Sequence, residues 1–140
     1  MPQMNPYLYF DGNCAEAMRF YERTLGGKLE ALITNGESPV AAEVPPGNAN
    51  RVMHAYLVID GQPVMAGDAM AGQPYERMQG FSMTLSYPTV AEATRVFDAL
   101  AEGGRITMPL AKTFWAETFG MVVDRFGTPW IINGALVNGR

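Results

Sequence analysis

Histidine is the side-chain type best suited to proton transfer near neutral pH, and this sequence of 140 residues has a single one, His54. It stands in Val52–Ile59, where alternation places it on one face with Tyr56 and Val58. There it can act as a general base or hydrogen-bond donor, or be a half-buried ring satisfied by a neighbour. Asp68 and Glu117 are candidates for orienting a polar substrate, or are ordinary charges at a strand end and in a loop. Tyr7, Tyr9, Tyr56, Trp115 and Trp130 can line an apolar cleft for a planar or hydrophobic ligand. Of the two tryptophans, Trp115 suits a ligand contact better because it falls in a loop, while core packing or a dimer seam explains Trp130 equally well. Met65, with Met70, Met78 and Met83, can form an adaptable wall or simply fill gaps.

What is missing narrows the chemistry further. Catalytic zinc, nickel and iron sites usually take three side chains from His, Cys and carboxylates, and this chain has one His and one Cys, Cys14. No paired Asp or Glu spacing suggests a magnesium or manganese site, so no cofactor is expected, a divalent metal being the alternative. There is no nucleophile elbow, no GxGxxG and no Walker loop. The net charge of −4 and the lack of any Lys/Arg cluster disfavour nucleic acid and anionic membrane surfaces as partners. No apolar run approaches the roughly 20 residues needed to cross a bilayer, and Met1–Phe10 does not read as a signal peptide. With a lone cysteine, no internal disulfide can form, and a cytoplasmic protein is expected.

The elements that must position these residues come in two copies. Tyr7–Phe10 is a short strand broken by Asp11-Gly12-Asn13, and Asn13 with Glu16 resembles a capping box for a helix whose stripe is Ala17, Phe20, Tyr21 and Leu25. Gly26-Gly27 stops that helix, and Lys28–Thr34 returns as a strand. Residues 35–50 form a long loop, either a lid or a solvated excursion. Val52–Ile59 and Pro63–Asp68 make a hairpin around Asp60-Gly61, and residues 69–79 connect to the second copy. There, Phe81–Ser86 has a polar face of Ser82, Thr84 and Ser86; Thr89-Val90-Ala91-Glu92 caps a helix with the stripe Val90, Ala93, Val96, Phe97 and Leu100; and Gly103-Gly104 ends it. Arg105–Met108 is then a strand, Pro109–Glu117 a loop, and Thr118–Asp124 and Thr128–Asn133 a closing pair of strands. Aligning Val58-Ile59-Asp60 with Val122-Val123-Asp124 requires a two-residue insertion, Arg125-Phe126, before the following strands match. The chain is thus α+β, two tandem βαβββ modules over roughly residues 5–75 and 80–140 of a single domain. One helix covers only one face of a four-stranded sheet, so the pair is expected to form a curved eight-stranded mixed sheet around a cup, helices outside.

Tyr7-Leu8-Tyr9-Phe10-Asp11-Gly12-Asn13-Cys14, Phe20-Tyr21, Leu25-Gly26-Gly27, Met53-His54-Ala55, Met65–Asp68, Phe114-Trp115 and Asp124-Arg125-Phe126-Gly127-Thr128-Pro129-Trp130 span nearly the whole chain. Together they resemble the vicinal oxygen chelate superfamily of glyoxalases, bleomycin-resistance proteins and dioxygenases. More narrowly, they resemble its PhnB-like, or 3-demethylubiquinone-9 3-methyltransferase-like, branch. The resemblance implies a homodimer with a small-molecule cup, and in metal-dependent relatives a divalent ion held by His, Gln or Glu from the first and last strands of each module. The matching positions here fall near Asn5 or Pro6, Met65 or Ala66, Phe81 or Ser82, and Ile131 or Ile132, none a good divalent ligand. A metal-independent binding protein is the first expectation. The alternatives are a glyoxalase-like lyase, isomerase or dioxygenase using a metal or His54 as base, and a structural or regulatory partner protein whose cup is vestigial.

Overall fold

The computed structural model describes residues 1–138. These fall into two compact units, Met1–Glu76 and a second beginning at Arg77. Each holds one helix and one four-stranded mixed sheet, so the expected α+β pair of βαβββ modules is present.

In the first unit, β1 (Tyr7–Phe10), β2 (Lys28–Thr34), β3 (Val52–Ile59) and β4 (Gln62–Asp68) lie in the order β1-β4-β3-β2, with β1 and β4 parallel. The pleat sends Leu8, Phe10, Ala55, Leu57, Val64 and Ala66 to one face, all buried. Helix α1 (Cys14–Leu25) covers that face with its buried Ala17, Met18, Phe20, Tyr21 and Leu25. The second unit repeats the plan with β5 (Met83–Tyr87), α2 (Val90–Ala101), β6 (Arg105–Ala111), β7 (Ala116–Val123) and β8 (Pro129–Leu136) in the order β5-β8-β7-β6. Its core is Ala93, Val96, Phe97 and Leu100 of α2 with Val122, Trp130 and Ile132.

The helix starts differ between copies. Thr89 caps α2 as its sequence predicts, its hydroxyl accepting the Glu92 amide at 3.2 Å. Asn13 makes no side-chain cap, contrary to the expected capping box. Its place is taken from a distance by Asp68, whose Oδ1 accepts the Gly12 and Cys14 amides at 2.8 and 3.1 Å while Oδ2 accepts the Val52 amide at 2.8 Å. A carboxylate there satisfies orphan N–H groups and opposes the helix dipole. Strand register explains the division of labour: Phe10 pairs with Asp68, whereas Tyr87 pairs with Gly134, so the second copy has no carboxylate to offer and needs its own cap.

The two glycine pairs hold two different roles. Gly26 and Gly103, at φ of +75° and +74°, take the left-handed conformation that ends each helix. Gly27 and Gly104 instead lie against strand backbone: a Cβ on Gly27 would stand 2.8 Å from the Val58 carbonyl oxygen, and one on Gly104 would overlap that of Val123. Lys28 pairs with Val58 and Arg105 with Val123, so Val58 corresponds to Val123 and not to Val122, and the second hairpin carries one extra residue instead of two.

Two loops differ from the sequence reading. Residues 35–50 contain two 3₁₀ turns, Asn35–Glu37 and Ala41–Glu43. They are tied down by Asn48, fully buried, whose Oδ1 accepts the Ala71 amide at 2.8 Å and whose carbonyl accepts the Asn35 side chain at 3.0 Å. This is a knitted segment, not a free flap. In the second unit β6 runs on through Pro109 to Ala111, and β7 begins at Ala116, so the loop shrinks to residues 112–115 and Glu117 lies within a strand. Pro109 is tolerated because β6 is an edge strand, where a missing N–H leaves no ladder bond unmade.

Candidate functional site

Each sheet has one face under its helix and one face away from it, and the candidate residues divide accordingly. On the open face of the first unit the register sets Tyr7, Met65 and Tyr56 in one row, and continues to Tyr9, Gly67 and His54 in the next. Tyr7, His54, Tyr56 and Met65 are half-buried and Tyr9 is exposed. Five of the nine sequence-predicted residues are therefore brought together, although Tyr7 and His54 are 47 positions apart.

Tyr7 and His54 form a pair. The Tyr7 hydroxyl lies 3.1 Å from His54 Nδ1 and 3.4 Å from the Met53 carbonyl oxygen, and the two rings are 5.7 Å apart with a 27° interplanar angle. Gly67 leaves the room: a Cβ there would come within 3.2 Å of the Tyr7 hydroxyl and 3.0 Å of the Met53 oxygen. Burial raises the Tyr7 pKa first, with Tyr9 and Cys14 adding to it, so the phenol keeps its proton at neutral pH. That single proton sets two states. If it goes to Nδ1, Nε2 carries a hydrogen and His54 is a donor; if it goes to the Met53 carbonyl, Nδ1–H donates to Tyr7 and Nε2 is a free base. Tyr9, 5.1 Å from Tyr7, and Tyr56, 6.5 Å from His54, extend the aromatic surface.

On the open face of the second unit, Ser86, Asn133 and Phe119 form the row equivalent to Tyr9, Gly67 and His54. Trp115 joins it from the loop: its indole N–H donates to Asn133 Oδ1 at 3.3 Å, and Asn133 Nδ2 donates to Ser86 Oγ at 3.3 Å. Phe119 and Phe114 meet the indole at 76° and 84°, with centroids 5.0 and 4.8 Å away. Asn133, Ser86 and Phe119 were not singled out from the sequence as site residues. The available signals were the polar alternation of Thr84 and Ser86 and an amide following Ile131-Ile132 in an otherwise apolar strand.

The remaining candidates make no part of either cluster. Asp68 spends both carboxylate oxygens on backbone amides. Trp130 is 2% exposed, and its indole N–H donates to Asp124 Oδ2 at 2.8 Å inside the core. Glu117 follows the alternation of β7 onto the same open face as Phe119, exposed and 3.7 Å from Lys112, a long surface pair of little energetic weight. Cys14 is buried, and desolvation with the nearby Asp68 pushes its thiol up to about 12, so it is no nucleophile near neutral pH. At the positions where relatives hold a metal, Met65 lies on the open face of its sheet, while Ala66 and Ile132 are buried in the core. No group of three His, Cys, Asp or Glu gathers anywhere among the described residues. The open faces thus offer one imidazole, phenols, a thioether, an amide, a hydroxyl and the carboxylate of Glu117, with no three ligands gathered, a donor set that does not fit a divalent ion. No helix among the described residues is long and apolar enough to cross a membrane.

Comparison with known proteins agrees along the length of the chain. The family model described as 3-demethylubiquinone-9 3-methyltransferase matches residues 2–133. Protein YjdN of Escherichia coli (strain K12) is 40% identical over 138 residues, covering 93% of each chain. Among solved structures, protein PA1353 from Pseudomonas aeruginosa is 46% identical with a TM-score of 0.88, covering 96% of this chain and 98% of its own. A putative 3-demethylubiquinone-9 3-methyltransferase, PhnB protein, from Bacillus cereus is 27% identical with a TM-score of 0.81, covering 96% of this chain and all of its own.

Proposed function

The chain belongs to the 3-demethylubiquinone-9 3-methyltransferase family, the PhnB-like branch of the vicinal oxygen chelate superfamily, and from that premise we propose that it is a metal-independent small-molecule binding protein. The observation that carries this reading is the Tyr7–His54 pair, a polar anchor set among Tyr9, Tyr56 and Met65 on a sheet face that its helix leaves open. Pockets for small molecules combine apolar and aromatic walls with a few placed polar groups, and this face has that make-up. In this proposal the two modules act as one domain with their open faces lining a shared cup in a homodimer, as the family resemblance suggests, and the lone cysteine suits a cytoplasmic setting. A monomer by light scattering would remove the dimer.

The methyl transfer in the family's description is not part of the proposal. Methyltransferases commonly hold their cofactor at a glycine-rich turn of a doubly wound parallel sheet, and each sheet here has a single parallel pair at one edge. A second reading keeps a specific observation in its favour: with its proton on Nδ1, donated to Tyr7, His54 presents Nε2 as a base for a glyoxalase-like isomerisation or elimination.

A metabolite panel read by thermal shift separates these. A specific ligand at a hundredfold excess over its Kd stabilises the native state by about 2.7 kcal/mol. His54→Ala is expected to weaken that ligand about tenfold, the loss of one good hydrogen bond. An unchanged affinity would remove His54 from the site, turnover abolished by His54→Ala would favour the enzyme, and stoichiometric zinc, nickel, manganese or iron in protein purified without chelators would overturn metal independence.

A further inference from the structure

The hydrogen bonds of the second unit's open face run in one direction only. An indole N–H has no lone pair to offer, so the atom of Asn133 facing Trp115 at 3.3 Å must be the amide oxygen. That choice fixes the other end of the side chain: the Asn133 amino group faces Ser86 Oγ, also at 3.3 Å, and donates to it. Ser86 Oγ, with one of its two lone pairs engaged from inside, keeps a hydroxyl proton that nothing in the relay accepts. Asn133 is 8% exposed and so is held in the packed strand, whereas Ser86 is exposed. The buried amide therefore converts a tryptophan donor into a serine donor aimed at whatever lies on the open face. Beside it, the half-exposed Trp115 ring stands nearly perpendicular to Phe114 and Phe119, so the three rings form an aromatic wall next to the hydroxyl.

We infer that the Trp115–Asn133–Ser86 relay is a binding site for a neutral aromatic compound carrying a carbonyl oxygen, the ring against Trp115 and the oxygen accepting from Ser86. The relay itself holds no charged group, the exposed carboxylate of Glu117 shares its sheet face, and the chain carries a net charge of −4, so a neutral carbonyl is favoured over a carboxylate. Its row is the register equivalent of the one holding His54 in the first unit, so the repeated architecture places a polar anchor at the same point of both sheets. The inference rests on the binding reading above and names a ligand class for it.

Three probes test it: acetylnaphthalene, ethylnaphthalene, which has the same shape without the oxygen, and naphthoate. The readout is the Trp115 indole N–H resonance, with that of Trp130, bonded to Asp124 in the core, as the fixed reference. Acetylnaphthalene is expected to move the Trp115 resonance and to bind about tenfold more tightly than ethylnaphthalene, with naphthoate weaker than the ketone. Ser86→Ala should erase the ketone's preference and leave ethylnaphthalene unchanged. Asn133→Asp should erase it too, because a carboxylate at that position takes the Ser86 proton and reverses the relay. Equal binding of ketone and hydrocarbon, a preference that survives Ser86→Ala, or a Trp115 resonance that no probe moves would each overturn the inference. A panel ligand that binds while leaving Trp115 unmoved removes this inference and keeps the binding reading; an empty panel removes the reading itself.

Discussion

Asp124→Ala is expected to destabilise the protein by about 3 kcal/mol, measured as a fall in the denaturant midpoint at unchanged slope. Asp124 is 3% exposed at the turn between β7 and β8. Its Oδ1 accepts the Phe126 amide at 2.9 Å and the Thr128 amide at 3.0 Å, and its Oδ2 accepts the Trp130 indole at 2.8 Å. Removing the carboxylate takes away the acceptor these three buried donors share, and a buried donor deprived of its acceptor costs desolvation energy as well as the bond. Asp124→Asn should recover little, because an amide presents one acceptor and one donor where N–H groups already point inward. Trp130→Phe removes one donor and keeps the turn, so it should cost about half as much. A cycle of Asp124→Asn with Trp130→Phe measures their coupling, and a coupling near zero would show that the indole bond contributes nothing.

The second large effect is Gly104→Ala, also expected near 3 kcal/mol, set against Gly26→Ala at about 1 kcal/mol. The two glycines look interchangeable in sequence, each in a pair after a helix. A Cβ at Gly104 would overlap the Val123 carbonyl oxygen and stand 2.9 Å from the Asp124 Cα, backbone atoms that cannot rotate away. At Gly26 a Cβ meets nothing within 4 Å, so only the left-handed conformation at φ +75° is penalised. Equal losses from the two substitutions, by thermal or chemical unfolding, would contradict this division of roles.

The repeat itself was readable because each of its signals is local. Stripe spacing in α1 and α2, the Asp60-Gly61 turn and the glycine stops need only a few neighbouring residues to be recognised. Errors came where a distant residue intervenes. Asn13 has the right type and spacing for a cap, yet Asp68, 54 residues beyond Cys14, supplies it. Pro109 reads as the start of a loop until its strand is known to be an edge. For the same reason Asp68 and Trp130, attractive as ligand contacts by type, proved to be engaged by backbone amides and by a buried carboxylate.

His54 and its aromatic company stood out by chemistry alone, since a single imidazole and a cluster of tyrosines are visible in any ordering of the fold. The sequence by itself determined the two modules, the family and the poverty of divalent ligands, all of which depend on residue type and short-range pattern. Strand register decided the rest. A shift of one residue would turn Tyr7 and Met65 into the core and Leu8 and Ala66 out of it, and register depends on pairing between segments far apart in the chain. Only that pairing sets the Tyr7 hydroxyl against His54 and aims Ser86, through Asn133, away from Trp115.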